Sequence, residues 1–112
     1  MELLINNLHW NIDWVEQDSS TLDCEGTEQV CGITYRTKCH IFINNNLPLD
    51  LMKRTIAHEL THAYIWSYGL MQFENFNEEN VCDFMESFGS KIMKQTKKVL
   101  DFYKNEVMDT GE

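Results

Sequence analysis

The chain is poor in the residues that separate domains and in those that bind polyanions. It has one proline and five glycines in 112 residues, and no Pro-rich or Ser/Gly-rich linker, repeat or low-complexity tract interrupts it. Lys and Arg number 9 against 18 Asp and Glu, which gives a formal charge of −9. Such a surface repels phosphate backbones and anionic lipids, so we expect neither a nucleic-acid partner nor a membrane partner.

Long apolar runs are also missing. The segment from Met1 to Trp14 has no Lys or Arg and does not resemble a secretory signal. No segment approaches the ~20 apolar residues of a membrane helix. We therefore expect a cytoplasmic protein whose cysteines stay reduced. These cysteines include no C-x-x-C pair, so they predict packed free thiols rather than a zinc knuckle; they are Cys24, Cys31, Cys39 and Cys82.

Apolar residues are sufficient for one hydrophobic core. They make up 43% of the chain, and a chain of this length supports one core but not two. The sequence therefore predicts a single domain over residues 1–112.

The first half is predicted to form strands. Residues 10–14 alternate apolar and polar side chains, and residues 30–43 are rich in β-branched and aromatic types, which indicates one or two further strands. Alternation places the members of that second run on opposite faces, with Cys39, Ile41 and Ile43 on one and His40 and Phe42 on the other.

The second half is predicted to form two helices. Apolar residues recur at helical spacing from Leu49 to Tyr68, and Gly69 is a natural stop. Asn77 can cap a second helix, with Glu78 and Glu79 in its first turn. Its predicted buried stripe is Val81, Met85, Phe88, Ile92, Val99 and Tyr103. This order predicts an α+β fold: a small N-terminal antiparallel or mixed sheet, then two helices.

The first helix contains the sequence His58-Glu59-Leu60-Thr61-His62, an H-E-x-x-H pattern. Residues i and i+4 share one face of a helix, so the two imidazoles can bind the same metal ion. Glu59 projects from the adjoining face, where a carboxylate can act as general base on the attacking water without binding the metal. The pattern predicts a zinc site with His58 and His62 as ligands and Glu59 as the catalytic residue.

A third protein ligand is required, and no histidine follows His62. Glu79 and Asp83 stand at i and i+4, so Glu79 can bind the metal while Asp83 accepts a hydrogen bond from a ligating histidine. We predict Glu79 as the third ligand. Glu78, with Cys82 at its i+4 position, is the alternative.

These motifs resemble the gluzincin metallopeptidases. With the H-E-x-x-H pattern, the downstream Glu79-x-x-x-Asp83 and the order of strands before helices, the chain is similar to minimal zinc-peptidase domains of phages and mobile elements related to the ImmA/IrrE group. The resemblance covers roughly residues 30–95. It implies a zinc-dependent hydrolase (Zn²⁺ as cofactor) acting on a protein or peptide substrate.

Two other functions are compatible with the sequence. The first is a zinc-containing binding module that recognises a regulatory protein without cleaving it, although a purely structural site does not need Glu59. The second is an acidic interaction domain without metal. For the peptidase, a substrate strand could add to a sheet edge within residues 34–43, and the candidate donors to the reaction oxyanion are Tyr35, His40, Tyr64, Tyr68 and Tyr103.

Overall fold

The computed structural model describes residues 1–17, 19–22, 31–70 and 77–108. Within them an N-terminal sheet is followed by two helices, so the predicted α+β class is confirmed. The strands are β1 (Glu2–Ile5), β2 (Leu8–Val15), β3 (Gly32–Tyr35) and β4 (His40–Asn44), with a short 3-10 helix at Ser20–Leu22. The helices are α1 (Leu49–Ser67) and α2 (Glu78–Phe102), and a π-helical turn, Tyr103–Val107, extends α2.

The sheet is mixed, with strand order β1-β2-β4-β3. β1 pairs with β2 and β3 pairs with β4 in antiparallel fashion, whereas β2 and β4 are parallel, with Ile12 opposite Ile41. Strand β3 is therefore at one edge of the sheet, and it is the strand that lies beside the H-E-x-x-H motif of α1.

Strand β1 was not predicted from the sequence. It joins β2 through Asn6 and Asn7, which both have positive φ angles of 47° and 67°. Two consecutive residues in this region are typical of the tight hairpin turns whose twist matches the flanking strands, and Asn tolerates that conformation better than most side chains. The Asn-Asn pair between two apolar segments was thus the missed signal.

The core lies between one face of the sheet and the two helices. Trp10 and Ile12 of β2 and Ile41 and Ile43 of β4 are almost fully buried, as the alternation predicted. They meet apolar residues from α1 and α2 in one cluster, which includes Met52, Ile56, Leu60, Ala63, Ile92 and Val99. Because α1 packs directly on this sheet, the core also fixes the position of the flank of α1 that faces β3.

Helix α2 is capped as predicted, since Asn77 Oδ1 accepts a hydrogen bond from the backbone N–H of Asn80 at 2.9 Å. The predicted buried stripe is correct only in its C-terminal part. Val81 and Met85 are 46% and 55% exposed, because the first turns of α2 extend past the end of α1.

Cys31, Cys39 and Cys82 are free thiols, and Cys24 lies outside the described residues. The prediction that the thiols are packed is wrong for Cys82, which is exposed in the first turns of α2, whereas Cys31 and Cys39 are partly buried. Among the residues described, no helix combines the length and apolar character needed to cross a bilayer.

Candidate functional site

His58 and His62 lie side by side on the flank of α1 that faces β3. Their ring centroids are 4.9 Å apart and the rings are nearly perpendicular, at 75°. The side chain of His58 is 68% exposed, whereas His62 is half-buried. The helical spacing thus brings together the two imidazoles that the sequence predicts as ligands.

Among the described residues Glu59 is the only buried one with a charged side chain, with 5% of its surface exposed. Its Oε1 accepts a hydrogen bond of 2.6 Å from the hydroxyl of Thr34 on β3. Its Oε2 lies 4.0 Å from Nε2 of His58. The hydrogen bond holds one carboxylate oxygen against the sheet and leaves the other beside the imidazoles, where a general base is needed.

The approach of β3 to α1 depends on Gly32. A Cβ atom at this position would lie 3.0 Å from Cγ2 of Thr55 and 3.1 Å from Cγ of Glu59. Both distances are shorter than ordinary van der Waals contact. Gly32 and Thr34 lie on the same side of β3. Gly32 leaves space for the side chain of Glu59, and Thr34 donates a hydrogen bond to it.

An open cleft runs between β3 and α1. It consists of two depressions of about 400 and 210 Å³ that share Gly32, His58 and Glu59 in their walls. The first also contacts Cys31 and Arg54, and the second is lined in addition by Thr34, Arg36 and His62. Glu59 is therefore buried among protein atoms yet accessible from the cleft.

The surroundings of His62 disfavour its protonated form. Burial lowers the pKa of this imidazole below its ordinary value of 6.5; the charge of Glu59 opposes the shift, and His58 and Arg36 add to it. A neutral imidazole is the form that binds a metal ion. At neutral pH His62 is therefore in the protonation state that the predicted site needs.

The predicted third ligand is not beside these residues. Contacts between Tyr68 and Phe88 and between Tyr64 and Gln95 show that α1 and α2 run antiparallel. Glu79 precedes Phe88 by nine residues, which places it about 13 Å along the axis beyond that contact, on the side away from the histidines. Its side chain is exposed, as are those of Glu78 and Asp83 in the same turns.

In the part of the chain that the structure describes, no three His, Cys, Asp or Glu side chains lie close enough together to hold one metal ion. His58 and His62 fit two positions of a zinc site, and the described residues do not supply the third. Glu79 as the third ligand stays a prediction.

The candidate oxyanion donors mostly have other hydrogen-bond partners. The hydroxyl of Tyr35 donates to the carbonyl of Thr21, that of Tyr64 to Gln95, and that of Tyr103 to the carbonyl of Asn45. His40 pairs with Asp13 on the other face of the sheet, at 2.7 Å. Tyr68 stacks on the ring of Tyr64 and contacts the ring of Phe88 at a tilt. None of the five candidates is among the residues that line the cleft.

Sequence reasoning did not identify Gly32, Thr34, Arg36 and Arg54 as site residues. Gly32 and Thr34 lie next to Glu59 only because β3 packs on α1, and no local sequence pattern predicts that contact. The arginines did leave a signal: all four bases of residues 1–90 fall at positions 36, 38, 53 and 54. Comparison of the chain with protein-family models, curated proteins and solved structures finds no match.

Proposed function

We propose that the protein is a zinc-dependent peptidase, with His58 and His62 as metal ligands and Glu59 as general base. The observation that supports the proposal best is the carboxylate of Glu59. It is buried, held at one oxygen by Thr34, and presents its other oxygen to a cleft beside two adjacent imidazoles. A carboxylate that served only the stability of the fold would not need this access.

The chemistry divides between the metal and the chain. Zinc bound by the two imidazoles would activate water and polarise the scissile carbonyl. Glu59 takes the proton from the attacking water and delivers it to the nitrogen of the leaving amine, so the carboxylate is regenerated when the peptide bond is broken. Thr34 keeps the carboxylate in one orientation during both transfers.

The location of β3 favours an extended peptide as substrate. Among the described strands β3 pairs only with β4, so no described strand occupies its other edge, where we propose that a substrate strand adds. A peptide in that position would run along the cleft, past Glu59 and the histidines. The sequence predicted such an edge within residues 34–43, and the proposed edge is shifted to Gly32–Tyr35.

We keep Glu79 as the proposed third ligand, although in this structure it is not beside the histidines. Because the first turns of α2 project beyond α1, binding by Glu79 requires this end of α2 to approach His62 when metal binds.

The Glu59→Gln variant tests the proposed chemistry. Gln keeps an oxygen that can accept the hydrogen bond from Thr34, but it cannot take a proton from water. We expect the zinc-loaded variant to keep its fold and its metal and to lose hydrolysis of a peptide library by roughly 10²- to 10⁴-fold, as measured by mass spectrometry. The matched control is Glu86→Gln on the exposed surface of α2. Unchanged turnover in Glu59→Gln, or zinc binding without hydrolysis in the unmodified protein, would contradict the proposal; the second result would favour a non-catalytic binding module.

A further inference from the structure

The four basic residues in the segment 1–90 are clustered in the sequence. This part of the chain contains 14 acids and only 4 bases, and the bases form two pairs, Arg36 with Lys38 and Lys53 with Arg54. The first pair follows β3 and the second lies in α1, the two elements that form the cleft. Positive charge in this acidic region is therefore concentrated around the candidate site.

Within each pair, the arginine lines the cleft and the lysine does not. Arg54 lies at one end, beside Gly32 and His58, and Arg36 lies at the other end, beside Thr34 and His62. Lys38 instead has its Nζ 5.8 Å from the centre of the Tyr35 ring. These are the only two arginines of the chain, and both border the same cleft.

Neither arginine forms an ion pair with a carboxylate among the described residues, where the pairs involve only His9, His40, His58 and Lys97 as cations. A guanidinium group presents donors in a planar fork that matches a carboxylate in bidentate fashion. Two such groups on the rim of an acidic protein's cleft are suited to an anionic ligand.

We propose that the cleft selects a peptide with an acidic side chain on each side of the residues that face Glu59, bound by Arg54 at one end and Arg36 at the other. This inference rests on the proposed function and names the substrate class of the same site. Because the protein as a whole repels anions, the two arginines would determine which acidic segments can enter.

The geometry also gives the spacing of the two acids. The closeness of Gly32 to Thr55 and the hydrogen bond of Thr34 to Glu59 show that β3 and α1 run side by side in the same direction. Gly32 lines the same depression as Arg54, and Arg36 directly follows β3, four residues after Gly32. Four residue steps of extended chain span about 13 Å. An extended peptide along β3 therefore needs its acidic residues about four positions apart.

A peptide is favoured over a nucleic acid for two reasons. The edge of β3 alternates backbone donors and acceptors, a pattern that another peptide strand matches and a sugar-phosphate chain does not. The charge of −9 opposes a polyanion along its whole length, whereas two isolated carboxylates meet only the two arginines.

Binding can be measured apart from catalysis in Glu59→Gln protein. The probe is a fluorescent, extended peptide with two glutamates four positions apart and no other charged side chain, compared with the same peptide carrying glutamines. We expect fluorescence anisotropy to show about tenfold weaker binding of the glutamine peptide, and a similar loss for the acidic peptide with Arg36→Gln or Arg54→Gln. Lys38→Gln and Lys53→Gln are matched controls, since they remove the same charge from neighbouring positions outside the cleft. Arg36→Lys and Arg54→Lys should give intermediate affinities.

The results separate this inference from the proposed function. Equal affinity for both peptides, no binding of either, or equal losses in the arginine and lysine variants would overturn the acidic specificity. Displacement of the peptide by a single-stranded oligonucleotide would show that the cleft takes nucleic acid instead. Arginine-dependent binding of the acidic peptide without hydrolysis by the zinc-loaded protein would support the specificity and reject the peptidase. Equal hydrolysis of both peptides would support the peptidase and reject the acidic specificity.

Discussion

The hydroxyl of Thr34 lies 2.6 Å from Oε1 of Glu59 and donates a hydrogen bond to it. This bond joins the edge strand of the sheet to the centre of the H-E-x-x-H helix, and it is made to a carboxylate that is almost fully buried. The stability of the domain and the orientation of the proposed general base therefore depend on the same contact.

Thr34→Val should destabilise the protein by about 1 to 3 kcal/mol, because the change keeps the shape of the side chain and leaves a buried carboxylate oxygen without its donor. Urea denaturation at pH 7 measures the effect. Thr34→Ser is the control, since it retains the hydroxyl and should keep most of the stability. Equal midpoints for the Val variant and the unmodified protein would show that water replaces the threonine.

Gly32→Ala should destabilise the protein by about 1 to 3 kcal/mol through overpacking. The new methyl group would press on Cγ2 of Thr55 and on Cγ of Glu59, and neither can retreat easily since both residues are buried in α1. Thr55→Ser removes the first of these obstacles, so the double variant Gly32→Ala/Thr55→Ser should recover part of the loss relative to Thr55→Ser alone. Additive effects of the two changes would contradict the steric explanation.

Gly89→Ala is expected to have the opposite sign. Gly89 is inside α2, and a Cβ there would meet only atoms of Met85, the nearest being its terminal Cε at 3.0 Å. A flexible side chain half exposed to solvent can move aside, and alanine favours a helix interior over glycine by up to about 1 kcal/mol. We expect a higher urea midpoint; a lower one would mean that Met85 is held more firmly than its exposure indicates.

Some elements near the site were predicted more accurately than others because local and non-local interactions determine them. The limits of α1 and the cap at Asn77 follow from local spacing and local hydrogen bonding, and both were predicted within a residue. The contact of Thr34 with Glu59 depends on β3 pairing with β4 at the sheet edge, a non-local event with no signature in the sequence. For the same reason the exposure of Val81 was not foreseen: helical periodicity marks the apolar face of α2 but does not tell where α1 ends beside it.

Acid should destabilise the metal-free protein through His62. Burial lowers the pKa of this imidazole in the folded state below the ordinary value of 6.5, so the unfolded chain binds the proton more readily. The stabilising contribution of the neutral imidazole is complete above about pH 6.5 and is lost as the pH falls through the lower pKa of the folded state. Urea midpoints between pH 5 and 7, with a chelator present, should fall less steeply in His62→Gln than in the unmodified protein. His9→Gln, at a side chain that is 75% exposed, should keep the original slope; an unchanged slope in His62→Gln would reject this account.

A comparison of zinc affinities between variants tests whether the first turn of α2 contributes a ligand to the site. Two imidazoles alone leave a tetrahedral zinc ion with half of its coordination to be filled by water, whereas a carboxylate would add a third protein ligand and a negative charge. We therefore expect Glu79→Ala to weaken zinc binding by about tenfold or more, as measured by competition with a chromophoric chelator, and Glu86→Ala to leave it unchanged. Both residues are exposed on α2, so the pair controls for the loss of surface charge. A loss confined to Glu79→Ala would mean that zinc draws the projecting end of α2 towards His62, and Tyr68 and Phe88 would then have to exchange their present contact for another. Equal affinities would reject Glu79 and direct the search to Glu78, whose replacement by alanine is the next variant to measure.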